Sequence, residues 1–210
     1  MMKSCLGVCV VVALAVTASS SVAQDVEPVP KDVAQAFGEA LVKAAAKIDK
    51  LQVKIECDPA KAVGVSVPDE GGIILVPQRG LGEENTPDMT IANGVPLALY
   101  FSTPSIVPMI DGKFVDRGKL HGVTVTDGQG NEHEVNCMLL TVRKISDEDY
   151  RLYGFGKAAK PLIDAKFSGG EGPGAKPLAV EIKDIEGQTG SLVVTVFDKY
   201  QAKFPGGVAE

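Results

Sequence analysis

Residues 131–137, Asn-Glu-His-Glu-Val-Asn-Cys, place a histidine, a cysteine and two glutamates within seven positions. His121 precedes them, and the chain has one other histidine, His133. Imidazole and thiol groups do two kinds of chemistry. They bind transition metals, or an imidazole activates a neighbouring thiol as a nucleophile. Which of these is open depends on how the residues are spaced in the fold.

The spacing follows from a turn. Asp127-Gly128-Gln129-Gly130-Asn131 reads as a hairpin connection with a three-residue loop, Gly130 taking the left-handed conformation. Asp127 then faces Asn131, Val125 faces His133, Val123 faces Val135, and His121 faces Cys137. On the other side Thr126 meets Glu132 and Thr124 meets Glu134. A slip of one residue would set the valines against glutamates, so this register alone separates apolar from polar side chains. His133 and Cys137 are then about 13 Å apart along one strand, at roughly 3.3 Å per residue. A metal needs its ligand atoms about 2.0–2.3 Å away, so these two residues cannot share one. No metal site, cofactor site or catalytic residue is assigned. A His121–Cys137 dyad is geometrically open, with Cβ atoms about 5 Å apart. A buried core thiol or half of a disulfide is the plainer reading of Cys137, since a catalytic thiol is hard to maintain in an oxidising compartment.

Other motifs carry no chemistry either. No serine lies in a G-x-S-x-G elbow. Gly156-Lys157 lacks the upstream glycine and following Ser/Thr of a phosphate loop, and the glycines of 168–174 precede no helix. Asp69-Glu70, and Glu83-Glu84-Asn85 with Asp88, could offer oxygen ligands to calcium but match no EF-hand spacing, so they read as solvated loop acids.

An oxidising compartment is suggested by the first residues. Lys3, the apolar run Leu6–Ala18 and the small-x-small site Ser21-Val22-Ala23 form a secretory signal, 1–23, with Gln24 as the expected first mature residue. The run has 13 residues, whereas a spanning helix needs about 20. The expectation is a secreted or periplasmic protein with no membrane span after cleavage. The whole chain carries a formal charge of −6. With no run of basic residues, it shows no footprint for nucleic acid or for anionic membranes.

The elements that would position these residues follow. Residues 24–31 read as a lead-in linker, and 32–50 as a helix with Asp32 as N-cap and Gln35 completing a capping box. Val33, Phe37, Leu41, Ala44, Ile48 and Leu51 form its apolar stripe. Period two then takes over, with Leu51, Val53, Ile55 and Cys57 on one face of a strand. Further strands are expected at 63–67, 73–76, 95–101, 120–126, 132–144, 150–155, 178–185 and 191–199. In the first of these hairpins Val67 is expected opposite Ile73, with Gly71 at positive φ. Asp111-Gly112 signals a two-residue hairpin between Ile110 and Lys113, and 78–90 is a long polar loop.

The fold expected is mainly β (α+β): an antiparallel β-sandwich or barrel-like sheet of about ten short strands with one N-terminal amphipathic helix, forming a single domain over 32–210. Cys57 and Cys137 both fall on apolar faces of their strands, and export favours oxidation, so a Cys57–Cys137 disulfide is expected. In function, the reading is an exported, non-enzymatic β-rich binding or structural module for a protein or cell-envelope component. A secreted hydrolase using acids hidden among the 27 acidic residues is the alternative.

Overall fold

A computed structural model describes residues 26–82, 89–126, 130–169 and 176–209. Residues 1–25, where the signal segment is expected, the acidic 83–88 stretch, 127–129 at the tip of the turn, 170–175 of the glycine-rich connection and Glu210 lie outside the described residues.

The chain is mainly antiparallel β, a curled half-barrel with one helix near its N-terminus. Fourteen main elements follow one another: β1 (Glu27–Pro28), α1 (Lys31–Ala45), β2 (Val63–Val67), β3 (Gly71–Pro77), β4 (Val95–Ser102), β5 (Ile106–Ile110), β6 (Lys113–Phe114), β7 (His121–Thr126), β8 (Glu132–Ser146), β9 (Asp149–Phe155), β10 (Ile163–Gly169), β11 (Leu178–Glu186), β12 (Thr189–Val196) and β13 (Tyr200–Val208). Ten strands form one path, β1-β2-β3-β4-β8-β9-β10-β13-β12-β11, while β7 pairs with β8 and the β5–β6 hairpin hangs from β13. At the two ends of the path β2 and β11 come together across a seam without pairing.

Alternation on the central strands builds two cores. Tyr100 of β4 and Met138 and Leu140 of β8 point into the curl, where they meet Leu192, Val194 and Phe204 from the far end of the sheet. Leu99, Phe101, Cys137 and Leu139 point to the opposite face, under α1. With both faces covered, β4 reads as a continuous apolar run, because neither side of it meets water.

Several local expectations change. The helix ends at Ala45 and begins after Pro30, with no side-chain cap, and the Gln35 amide reaches Glu39 rather than closing a capping box. Its buried residues are Ala34, Gly38, Leu41, Ala44 and Ala45, so Leu41 and Ala44 of the expected stripe are buried while Val33 and Phe37, 37% and 56% exposed, are not. The reason is close approach: a Cβ added to Gly38 would lie 3.1 Å from the Ala62 Cβ, so the small-residue face fits where a phenyl ring would not. The strand expected at 51–57 is irregular chain with a single bridge, Cys57 to Gln78, because no strand lies beside it over its length. In the β2–β3 hairpin Val65, not Val67, faces Ile73, since Asp69 as well as Gly71 takes positive φ and the turn tightens. Within the lead-in, Glu27 and Pro28 pair with β2. The Asp111-Gly112 hairpin forms as expected, with Ile110 opposite Lys113 and φ of 51° and 72° at the two turn residues. Strands β10 and β13 were missing from the sequence expectation.

Candidate functional site

The β7–β8 ladder has the register that the turn implies: His121 faces Cys137, Val123 faces Val135, Val125 faces His133, Thr124 faces Glu134 and Thr126 faces Glu132. Gly130 takes φ 88°. His121 and Cys137 are buried, while His133 is exposed further along β8. Among the described residues no group of three His, Cys, Asp or Glu side chains is placed to hold a metal.

The environment keeps this histidine neutral and both thiols protonated. Burial pushes the His121 pKa below its usual value; the Gly156 carbonyl opposes that shift and the Lys157 charge adds to it. Its Nε2 is buried with no protein hydrogen-bond partner. Burial raises the Cys137 thiol strongly, and the proximity of Cys57 raises it further. Cys57 itself is pushed up to about 11 by burial, against a smaller opposing contact with the Leu99 backbone. A nucleophilic thiol needs a lowered pKa and access to solvent. Cys137 has neither, so the pair packs as core.

The expected Cys57–Cys137 bridge is not formed in this structure: both cysteines are free and buried. They do share the layer beneath α1. The Cys57 thiol meets the Leu99 backbone of β4, the strand that pairs with β8 and Cys137.

A concavity lies elsewhere, inside the curl at the seam. Val67 of β2, Ile73 of β3, Ile106 of β5, Ile182 of β11, Leu192 of β12 and Phe204 of β13 line a partly open cavity of about 50 Å³. The lining is almost wholly apolar and contains no carboxyl, imidazole or thiol group. Tyr100 also borders it; burial pushes its hydroxyl up to about 12, with the Ser102 side chain opposing. One wall is braced by Asn136, whose amide donates to Ser102 Oγ and to the carbonyls of Thr103, Pro104 and Ile106.

Sequence reasoning missed this site because its walls come from strands up to 141 positions apart, from residue 67 to residue 208. One signal was available: Ala202, Phe204 and Val208 are buried on alternate positions of β13, a pattern that marks a strand with one face inward.

Both ends of the sheet path discourage pairing with another chain. β1 is two residues long and contains Pro28. β11 is bulged between Lys183 and Glu186, Asp184 has φ 50°, and charged side chains line it. Short, proline-bearing or bulged and charged edges are how sheets resist adding strands.

Comparison with protein-family models, with curated proteins and with solved structures finds no match.

Proposed function

We propose that the protein is an exported, non-enzymatic binding module that takes a single aliphatic side chain of a protein partner into the cavity at the seam. The observation that carries this reading is the apolar lining itself, built from seven strands and partly open. Its volume of about 50 Å³ is well below the roughly 150 Å³ that accommodates benzene. It therefore suits a branched aliphatic group rather than a ring or a long chain. The blunted edges at β1 and β11 favour side-chain insertion over strand addition as the mode of contact. A hydrolytic site would need polar groups converging on the substrate. The lining includes Tyr100, Gln188 and Thr189 but no carboxyl, imidazole or thiol group, which supports binding over the hydrolase alternative.

The test is paired affinity capture from native extract, with the wild-type chain and with Ile182→Trp as baits. Ile182 lines the cavity from a half-buried position on β11, so the larger ring can fill the space from its rim. Circular dichroism melts establish that both baits are folded. A partner retained by the wild type and lost with the filled cavity is expected, and replacing the partner's inserted residue by alanine should weaken binding by about tenfold or more. Equal retention by both baits would overturn the reading.

A further inference from the structure

The tertiary structure gathers basic residues that the sequence scatters. Lys157 Nζ donates to the Gly118 carbonyl and its backbone N–H to the Lys119 carbonyl, which sets the β9–β10 loop against residues 117–119. The Gln52 amide donates to the carbonyls of Gly156 and Ala158, which brings the segment after α1 to the same place. The three segments that carry Lys50, Lys54, Lys113, Arg117, Lys119, Lys157 and Lys160 therefore meet at Gln52, Gly118–Lys119 and Gly156–Ala158, and all seven residues are exposed. Four acids flank them: Asp49, Glu56, Asp111 and Asp116. Glu56 is paired with Lys54, and Asp116 accepts from the Gly118 backbone. Seven basic against four acidic groups leave a local charge of +3, on a chain whose formal total is −6. The remainder of the molecule is thus strongly acidic, and the charge is separated between this face and the rest.

The β5–β6 hairpin belongs to the same neighbourhood, since Phe114 precedes Arg117 by three residues. Ile110 and Phe114 are 36% and 39% exposed on it, with Lys113 between them in sequence. Apolar side chains on a hairpin that carries Lys113 and leads into Arg117 match the chemistry of a bilayer interface. The rings and aliphatic groups reach the acyl boundary while the cations meet anionic headgroups. A soluble polyanion would use the cations but would leave Ile110 and Phe114 without a role.

We propose that this face docks on an anionic lipid surface, with the 110–114 hairpin as the apolar contact and the lysines and arginine of the three segments as the electrostatic one. The charge separation orients the molecule as it approaches, because the acidic remainder is repelled by the same surface within a Debye length of about 8–10 Å. The proposal is independent of the cavity and of its occupant.

The experiment is co-sedimentation of the processed chain with phosphatidylcholine vesicles, with and without 30% phosphatidylglycerol, across a salt series. Three proteins are compared: the wild type, the Arg117→Glu/Lys119→Glu/Lys160→Glu variant, and Phe114→Ser. All substituted positions are exposed, so unchanged melting curves are expected and serve as the folding control. The wild type should bind only the anionic vesicles and lose binding as salt rises. Charge reversal should lower partitioning by about tenfold or more. Phe114→Ser should weaken binding while leaving the salt dependence. Equal binding to both vesicle types, no binding to either, or full binding by the charge-reversed chain would overturn the proposal. Binding to soluble polyphosphate without binding to vesicles would also overturn it, in favour of a polyanion.

Discussion

His121 stands directly opposite Cys137 in the β7–β8 ladder, and both are buried, one with an unpartnered ring nitrogen and the other with a strongly protonated thiol. Two side chains that could form a catalytic pair are held by the fold as packing residues. What separates the two roles is desolvation, which favours the neutral form of each group.

The histidine should make stability pH-dependent in a defined window. Burial lowers its folded pKa, while the unfolded chain titrates near the ordinary value of about 6.5. As pH falls, the unfolded state takes up the proton first, so stability drops with pH through this interval. The contribution is fully present above about 6.5, is lost progressively down to the folded pKa, and changes no further below it. Urea midpoints measured from pH 7.5 to 5 should fall for the wild type and fall less for His121→Phe. Identical slopes for the two proteins would mean that His121 does not titrate differently on folding.

The thiols should be inert in the folded state. Both are buried and both are raised, Cys57 to about 11. Iodoacetamide at pH 8 is therefore expected to leave the native chain unlabelled. After denaturation without reductant, mass spectrometry should show Cys57 and Cys137 each carrying an added group if the thiols are free as in this structure. A count of zero at these two residues would show that the native protein carries the Cys57–Cys137 bridge.

The helix should depend on Leu41 and hardly at all on Phe37. Leu41→Ala is expected to cost about 2–5 kcal/mol, the range for a buried leucine, whereas Phe37→Ala at an exposed position should stay within about 0.5 kcal/mol. Gly38→Leu should destabilise by more than Phe37→Ala, because its Cβ already meets Ala62 at 3.1 Å. A large loss for Phe37→Ala in thermal or urea melts would mean that the helix docks through a different face.

The sequence by itself determined the features governed by neighbours along the chain. The β7–β8 register was legible because one glycine turn and one run of alternation allow a single arrangement that keeps valines off glutamates. The same holds for the Asp111-Gly112 hairpin, the antiparallel β class and the presence of one early helix. Tertiary structure decided whatever depends on what packs opposite. Two stripes on α1 are apolar, Val33-Phe37-Leu41-Ala44 and Ala34-Gly38-Leu41-Ala45, and periodicity alone cannot rank them. Leu41 and Ala44 are buried together with Ala34, Gly38 and Ala45, while Val33 and Phe37 stay exposed, because Ala62 and Val76 come close at Gly38. Residues 51–57 alternate like a strand but found a partner only at Cys57, since a strand exists only where a neighbour supplies its hydrogen bonds. The cavity and the basic face were hidden for the same reason. Each is assembled from segments far apart in the chain, and only the curl of the sheet and the loop contacts at Gly156 and Lys157 bring them together.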